Sequence, residues 1–409
     1  MKKMLALLLA ATLLLSGPVF TQALAAEQGD WPNEPAVDAS ASAYEEEVTA
    51  AAALFPDNNL PVKSAVLMEA NGGRILYSLN EKEKLPPASI TKIMSLLLIM
   101  EALEQGKIKL DDKVACSENA ASFGGSQIWL KPGEEMTVDE LLRAACIASA
   151  NDATVCLAEH VAGSELGFVQ MMNDKAKELG MTGTNFACAA GLDTPDHYTT
   201  AEDIAIMSRE LLKHDLIKNY STVWMDSLRG GATQLVNTNR LVRFYEGATG
   251  LKTGTTSKAG KCLSATAERE GLGLIAVVMG SPSSDERFAA ARSLLDWGFA
   301  NYTMAKLNPP DLAVPMKVNG GIESQVELYS DQPAGFVVEK SKADTITQDV
   351  TLSDSVEAPV EKDQVVGSVI VCVDGERVMD YPIKTTVAVD KMTLFRALGI
   401  LGRVLLSIG

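Results

Sequence analysis

Residues that commonly bind metals and redox cofactors are scarce in this chain. Only 3 histidines occur in 409 residues, and His160, His197 and His214 show no His-Glu-x-x-His spacing. The 6 cysteines stand at scattered positions, without a Cys-x-x-Cys pair or a Cys/His cluster. Zinc sites require closely spaced thiolate and imidazole ligands. We therefore expect no metal, no cofactor and, by default, buried free thiols.

Positive charge is also in short supply. The chain has 36 Lys and Arg against 53 Asp and Glu, which gives a net charge of -17. Binding to nucleic acid requires a basic surface, so we expect no nucleic-acid partner. A hydrophobic content of 47% and a charged content of 22% are typical of a globular protein. The length allows two or three domains.

Long apolar runs are few, and the first of them lies at the N terminus. The run 4–15 follows Lys2 and Lys3 and precedes the small residues of 23–26. This pattern predicts a secretory signal peptide over residues 1–26, and hence an exported protein. Residues 27–57 are then expected to form a flexible acidic leader, because 27–50 contains seven acids and no basic residue.

Residues 58–305 are expected to form a two-lobed α/β (α+β) domain. Early and late strand patterns are separated by a mostly helical insertion from Asp111 to His214. Such an insertion places a ligand-binding cleft between a sheet and a helical lobe. The predicted strands and closing helix are Val62–Met68, Arg74–Leu79, Gly250–Thr255, Cys262–Arg269, Leu274–Gly280 and Arg287–Tyr302.

The C-terminal third has a different pattern. Short alternating segments in 306–389, with turns at Asn319-Gly320-Gly321 and Asp374-Gly375, predict a small all-β sandwich domain. Residues 390–409 predict an amphipathic helix with Leu394, Leu398 and Leu401 on one side and Arg396 and Arg403 on the other. About 24 Å of helix is too short to span a bilayer, so we expect an in-plane membrane anchor. The alternative is a helix that docks on the protein's own core.

The stretch Pro86-Pro87-Ala88-Ser89-Ile90-Thr91-Lys92 carries the clearest chemical signal. Two prolines precede an apolar run, so a helix should begin near Ser89. Residues three apart share a helix face, which brings the Lys92 amine within reach of the Ser89 hydroxyl. A lysine kept neutral by burial or by a nearby cation can activate a serine as a nucleophile. On its own, the motif is more typical of a helix-capping serine beside a snorkelling lysine.

Two further motifs strengthen the catalytic interpretation. Ser149-Ala150-Asn151 falls in the helical region, and Lys252-Thr253-Gly254-Thr255 begins a predicted strand. Ser-x-x-Lys, Ser-x-Asn and Lys-Thr-Gly in this order are typical of β-lactamases and penicillin-binding proteins. Ser117-Glu118-Asn119 also fits the second pattern, but it is treated as accidental.

Further segments, including Gly124-Gly125-Ser126 and His197-Tyr198-Thr199-Thr200-Ala201, extend the match. Over residues 58–303 the chain resembles the exported serine-type D-alanyl-D-alanine carboxypeptidases, the low-molecular-mass penicillin-binding protein family. The resemblance implies a serine β-lactamase/transpeptidase-like fold. It also implies removal of the terminal D-alanine from peptidoglycan stem peptides, and covalent inhibition by β-lactam antibiotics. The protein would lie on the outer face of the cytoplasmic membrane, anchored peripherally by its C-terminal helix.

The resemblance also implies a role for each motif residue. Ser89 would be the nucleophile and Lys92 its base, with the oxyanion held by the N-H groups of Ser89 and Thr255. Ser149 would pass a proton to the leaving amine, and Asn151 would position Lys92 and the substrate. The free carboxylate of the substrate would face the substrate-binding residues Lys252, Thr253, Gly254, Thr255 and Arg287. His197 is expected to make a structural hydrogen bond.

Three alternatives stay open at this point. A DD-endopeptidase could use the same cleft with a longer leaving group. A β-lactamase would need a base that clears the acyl group, and the loop around Gly191 to His197 offers only Asp193 and Asp196. The alternative that is not an enzyme is a penicillin-binding scaffold or sensor of the cell wall.

Overall fold

The computed structural model describes residues 60–407. The predicted signal peptide and acidic leader lie outside the described residues. Up to residue 305 the strands are β1 (Ser64–Glu69), β2 (Ile75–Leu79), β3 (Lys113–Ala115), β4 (Glu135–Thr137), β5 (Met225–Leu228), β6 (Thr233–Val236), β7 (Ala248–Thr256), β8 (Gly260–Arg269), β9 (Leu272–Ser281) and β10 (Tyr302–Ala305). The helices of the same part are α1 (Lys92–Glu104), α2 (Glu118–Ala121), α3 (Val138–Ile147), α4 (Asn151–Ala162), α5 (Glu165–Glu178), α6 (Ala201–Leu212), α7 (Lys218–Ser221), α8 (Leu241–Phe244) and α9 (Ser284–Asn301).

An antiparallel five-stranded sheet in the order β2-β1-β9-β8-β7 supports the first part of the chain. Side chains alternate between its two faces, as the period of a strand requires. Val66 and Val277 belong to the core shared with the helical lobe. Leu67 and Val278 belong to the core under α9. The predicted early strands, the late strands and the two-lobed α/β arrangement are confirmed.

Helix α1 lies in the middle of the helical lobe. Ten of its 13 residues are buried, which agrees with its nearly continuous apolar sequence. Neighbouring helices begin at side chains that accept backbone N-H groups: Thr137 caps α3 with Glu140 in a capping box, and Thr200 caps α6. The short strand pair β3–β4 interrupts the region from Asp111 to His214 that the sequence pattern predicts as mostly helical, and the pair β5–β6 follows that region.

The C-terminal part is rich in β-structure and ends in a helix, as predicted. Its elements are β11 (Met316–Asn319), β12 (Gln325–Val326), β13 (Leu328–Ser330), β14 (Phe336–Glu339), β15 (Thr347–Leu352), β16 (Ser355–Glu357), β17 (Val365–Val373), β18 (Glu376–Thr385) and α10 (Leu394–Ser407). The sheets β12-β11-β16 and β13-β18-β17-β15 share one apolar core. Strand β14 instead pairs with β10, directly after α9.

Helix α10 presents apolar side chains to the surroundings. Leu394, Phe395 and Leu398 are all exposed, so the part of the helix whose side chains are described does not bury this face against the protein. Arg396 pairs with Asp390 at 2.6 Å. Among the described residues, the helices are too short or too polar for any of them to traverse a bilayer.

Candidate active site

Ser89 lies in the 3-10 turn Ala88–Thr91, which leads directly into α1. Its side chain is half-buried, while Ala88, Ile90 and Thr91 are buried. Ala88 has a φ of +50°, a left-handed conformation that residues with a side chain rarely adopt. The chain therefore makes a strained turn immediately before the serine.

A chain of hydrogen bonds holds this turn. The Thr91 hydroxyl donates to the Ala88 carbonyl oxygen at 2.8 Å, and His197 Nε2 lies 2.8 Å from the same hydroxyl. The N-H of Ala187 donates to His197 Nδ1 at 2.9 Å, which leaves Nε2 as the protonated nitrogen of the neutral ring. Burial lowers the pKa of His197 to about 4, so the ring is neutral at pH 7. This geometry agrees with the structural role expected for His197.

The amine of Lys92 is fully buried beside Ser89. Its Nζ lies 3.0 Å from Ser89 Oγ, 2.5 Å from Asn151 Oδ1 and 2.7 Å from the carbonyl oxygen of Ala190. Burial, followed by the charge of Lys252, lowers the pKa of Lys92 well below its usual value. The sequence-predicted pair is therefore close in space, and burial shifts its lysine toward the neutral form.

Lys252 enters the same site from strand β7. It is buried, and its Nζ donates to the Thr253 carbonyl oxygen at 3.3 Å. Burial, with a further contribution from the charge of Arg287, lowers the pKa of Lys252 to about 7. The strand amine is thus buried, and its charge lowers the pKa of Lys92.

Asn151 and Ser149 come from the junction of α3 and α4. Asn151 Nδ2 donates to the Gly124 carbonyl oxygen at 2.6 Å, which orients its Oδ1 toward Lys92. Ser149 is buried and has a φ of +61°. The junction places Asn151 against Lys92, with Ser149 two residues before it in a strained turn.

The remaining residues of β7 line the approach to Ser89. Thr253 Oγ1 donates to Thr238 Oγ1 at 2.6 Å, while Thr255 is exposed. A Cβ on Gly254 would lie 2.9 Å from the carbonyl oxygen of Pro87, so only glycine lets the strand pass this close to the serine turn.

Arg287 lies in the first turn of α9 and contacts strands β7 and β8. It is 6% exposed, and its guanidinium donates to the carbonyl oxygen of Gly254, to Thr255 Oγ1 and to the Cys262 carbonyl oxygen. Its Nε lacks a hydrogen-bond partner among the described residues. Burial lowers its pKa to about 10, which still leaves it charged at pH 7. Within the described part of the chain, neither Arg287 nor Lys252 forms a salt bridge.

The described residues contain no group of three or more His, Cys, Asp or Glu that could hold a metal ion. All six cysteines lie in the described part of the chain and are free thiols, five of them buried.

Comparison with known proteins identifies relatives of this site and fold. A family model of D-alanyl-D-alanine carboxypeptidases matches residues 47–283, and one of the penicillin-binding protein 5 C-terminal domain matches residues 303–391. The D-alanyl-D-alanine carboxypeptidase DacF of Bacillus subtilis is 44% identical over 326 residues, covering 78% of this chain and 84% of the relative. This chain belongs to the D-alanyl-D-alanine carboxypeptidase family.

Solved structures agree with the assignment of this carboxypeptidase. Penicillin-binding protein 5 of Haemophilus influenzae matches it with a TM-score of 0.73 and 31% identity, over 83% of this chain and 100% of that one. Penicillin-binding protein D2 of Listeria monocytogenes, solved in its ampicillin-bound form, covers 60% of the chain with a TM-score of 0.55 and 30% identity. The carboxypeptidase is thus a serine-type hydrolase with a penicillin-binding domain followed by a β-rich domain.

Sequence reasoning missed two contributors to the site of this carboxypeptidase. The carbonyl oxygen of Ala190 accepts from Lys92, and a backbone atom gives no side-chain signal in a sequence. Asp152 follows Asn151 and accepts the N-H groups of Ile128 and Leu130. Asp152 could have been identified from the sequence, because it directly follows the Ser-x-Asn motif and a carboxylate is favoured in the first turn of a helix.

Proposed function

We propose that this carboxypeptidase removes the terminal D-alanine from peptidoglycan stem pentapeptides through an acyl-enzyme on Ser89. The observation that carries the proposal is the buried Lys92 amine, 3.0 Å from Ser89 Oγ, with its pKa lowered well below the usual value. A neutral amine at this distance is a general base for a serine hydroxyl.

The partners of Lys92 support the direction of proton transfer. A neutral amine has two N-H groups and one lone pair. The oxygens of Asn151 and Ala190 accept the two N-H groups, so the lone pair is left for the Ser89 hydroxyl. In this mechanism Lys92 takes the proton as Ser89 Oγ bonds to the carbonyl carbon between the last two D-alanines.

The backbone N-H groups of Ser89 and Thr255 are the proposed oxyanion donors. Gly254 brings β7 against Pro87, so the strand runs beside the turn that carries Ser89. Fixed donors at the developing negative charge are typically the largest single contribution to such catalysis.

Collapse of the tetrahedral intermediate breaks the amide bond. In the proposed mechanism Ser149 gives its hydroxyl proton to the leaving amine of D-alanine and receives in turn the proton that Lys92 took from Ser89. Asn151 holds Lys92 and the substrate amide. Water then attacks the Ser89 ester, with Lys92 again as the proposed base that takes a proton from the water. Lys92 passes this proton to the departing Ser89 oxygen, which releases the shortened peptide and restores the hydroxyl.

The proposed binding site for the free carboxylate of the substrate consists of Lys252, Thr253, Thr255 and Arg287. Gly254 lets β7 approach the turn that carries Ser89. Both cations are buried and form no salt bridge within the described residues, which suits a site that receives an anion from outside. A terminal carboxylate distinguishes the substrate of a carboxypeptidase, and guanidinium groups bind carboxylates well.

β-Lactams are the proposed covalent inhibitors, because they would acylate the same serine. Rapid hydrolysis of the adduct is not expected. Asp193, one of the two acids in the loop after Gly191, accepts the Thr256 hydroxyl at 2.7 Å and is held by that bond. This argues against a β-lactamase that uses Asp193 as its base.

Export and peripheral attachment to the outer face of the cytoplasmic membrane are proposed from the two ends of the chain. The signal pattern of residues 1–26 supports export. The exposed Leu394, Phe395 and Leu398 of α10, with Arg396 nearby, suit the headgroup boundary of a membrane.

Release of D-alanine from a synthetic stem pentapeptide tests the proposal. We expect release by the unaltered protein, and loss of both release and covalent labelling by a fluorescent β-lactam in Ser89→Ala. A labelled protein that releases no D-alanine would instead favour a scaffold, a sensor or a pure β-lactamase. Cleavage of cross-linked peptides at a higher kcat/KM than pentapeptide would favour the endopeptidase.

A further inference from the structure

Trp129 is displayed to solvent in an unfavourable backbone conformation. Its side chain is 75% exposed, whereas Ile128 and Leu130 on either side are 2% and 5% exposed. Its φ is +60°, in a region that is a genuine outlier for a bulky residue. Strained conformations of this kind concentrate at ligand sites, where the surrounding structure enforces them.

The surroundings of Trp129 hold it in place through both neighbouring residues. The buried carboxylate of Asp152 accepts the N-H of Ile128 at 3.2 Å and that of Leu130 at 3.0 Å. The carbonyl oxygen of Ile128 accepts from Arg229 at 2.8 Å. The indole is therefore presented by a fixed backbone and not by a loose loop.

The segment that carries Trp129 begins at the active site. Asn151 donates from Nδ2 to the Gly124 carbonyl oxygen and from its backbone N-H to the Ser126 carbonyl oxygen at 2.7 Å. The same Asn151 contacts Lys92, the partner of Ser89. Gly124, Gly125 and Ser126 are all exposed and small, and they connect the Asn151 contact along the chain to Trp129.

The position of the charges decides which part of a substrate reaches this segment. Ser89 lies between β7, with Lys252 and Arg287 close by, and Asn151, which is reached through Lys92. When the terminal carboxylate occupies the cationic side, the acyl side of the scissile bond points away from Lys252 and Arg287. The exposed segment 124–126, held by Asn151, is the part of the chain that would receive it.

We propose that Trp129 is a specificity-determining residue that packs against the stem peptide upstream of the scissile D-alanine. This inference rests on the proposed function, because it takes the stem peptide as substrate. A rigid indole offers a large apolar contact surface to the aliphatic parts of a peptide at little cost in conformational entropy. It contacts residues that a dipeptide lacks, so it discriminates long substrates from short ones.

Binding to Ser89→Ala protein tests the proposal without turnover. Isothermal titration compares a stem pentapeptide with N-acetyl-D-Ala-D-Ala, in Ser89→Ala alone and combined with Trp129→Ala or Trp129→Phe. We expect Trp129→Ala to raise Kd for the pentapeptide about three- to tenfold, in line with the loss of one aromatic contact, and to change Kd for the dipeptide less than about twofold. Trp129→Phe should recover most of the affinity for the pentapeptide.

The control variant is Phe395→Ala, which removes an equally exposed aromatic side chain from α10 and should change neither Kd. In the presence of Ser89, Trp129→Ala should keep its rate of acylation by benzylpenicillin, which lacks the upstream residues. An unchanged Kd for the pentapeptide would overturn the proposal, and so would equal losses for pentapeptide, dipeptide and penicillin. Failure of the unaltered protein to release D-alanine would overturn the proposed function instead.

Discussion

Three cationic side chains are buried around Ser89: Lys92, Lys252 and Arg287. Charges buried without a counter-ion are unfavourable for folding, and the pKa values of all three are lowered accordingly. Such groups persist in proteins when activity needs them, at the expense of stability. We therefore expect that replacing one of these three residues with an uncharged one lowers activity and raises the free energy of unfolding.

Replacing Lys252 with methionine should stabilise the protein while abolishing its turnover. The pKa of Lys252 is about 7 in the folded protein against 10.5 for a free lysine, so the unfolded chain binds more protons between these values. Lys252 therefore does not lower the free energy of unfolding above pH 10.5, and it lowers it progressively as the pH decreases to about 7. We expect Lys252→Met to gain about a few kcal/mol at pH 7 and almost nothing near pH 10.5.

Urea unfolding at pH 7 and at pH 10 measures this difference for Lys252→Met, with Lys213→Met as an exposed-lysine control. Equal stabilisation at both pH values would show that the effect comes from packing and not from charge.

His197 should give the protein an acid-sensitive component of stability. Its pKa is about 4 in the folded state, and an unperturbed histidine titrates near pH 6.5. The unfolded chain therefore binds a proton first, and stability decreases as pH falls from 6.5 to 4. This component amounts to roughly 3 kcal/mol and should be absent from His197→Gln.

Thermal unfolding between pH 4 and pH 7 measures this acid-sensitive component. The comparison is His160→Gln, because the His160 side chain is partly exposed. A profile for His197→Gln that parallels the unaltered protein would contradict the assignment.

At the scale of elements, turn chemistry and apolar patterns predicted the sheet and the helix after Ser89. The strands on either side of Asn71-Gly72-Gly73 and of the β8–β9 turn were predictable because turn residues adjoin clear strand patterns there. The insertion of β1 between β2 and β9 was not predicted, since nothing local to β1 specifies a partner about 200 residues away.

The side chains of the candidate site were easier to predict than its backbone. Ser89, Lys92 and Asn151 have motif spacings, whereas the Ala190 carbonyl oxygen and the turn at Ala88 depend on tertiary packing. The role of each site residue stays a prediction until variants are tested. The predicted domain boundary at residue 305 also stays a prediction. Strand β10, which precedes this boundary, pairs with β14, which follows it.

Gly191→Ala should disable the serine turn. Gly191 has a φ of +87°, and a Cβ there would overlap the carbonyl oxygen of Ala88. The added methyl group must displace either Ala88 or the loop whose Ala190 holds Lys92, so we expect acylation by a fluorescent β-lactam to slow at least about a hundredfold.

Gly180→Ala is the matched control, because Gly180 has a φ of +74° and open space around its Cβ position. Both variants carry the backbone strain, of the order of 1 kcal/mol, but only the first has the overlap. Similar acylation rates for the two would contradict the close approach described here.

At the scale of the whole molecule, α10 should separate membrane attachment from catalysis. Truncation after Asp390 removes the exposed apolar face of this helix and leaves the cores of both domains intact. We expect the shortened protein to leave the membrane fraction while its kcat/KM for a soluble pentapeptide changes less than about twofold.

Vesicle co-sedimentation measures attachment, and full-length Leu398→Glu provides a second variant that keeps the chain length. A truncated protein that still sediments with vesicles would refute the anchor.

Lys252 and Arg287, which form no salt bridge with the residues that the structure describes, also affect how the reaction slows as product accumulates. In the proposed mechanism the carboxylate that Lys252 and Arg287 attract is carried away by the departing D-alanine, which keeps that group after cleavage. Free D-alanine is therefore a weak competitor for the place of the next substrate, and accumulating product restrains the enzyme without any separate regulatory site.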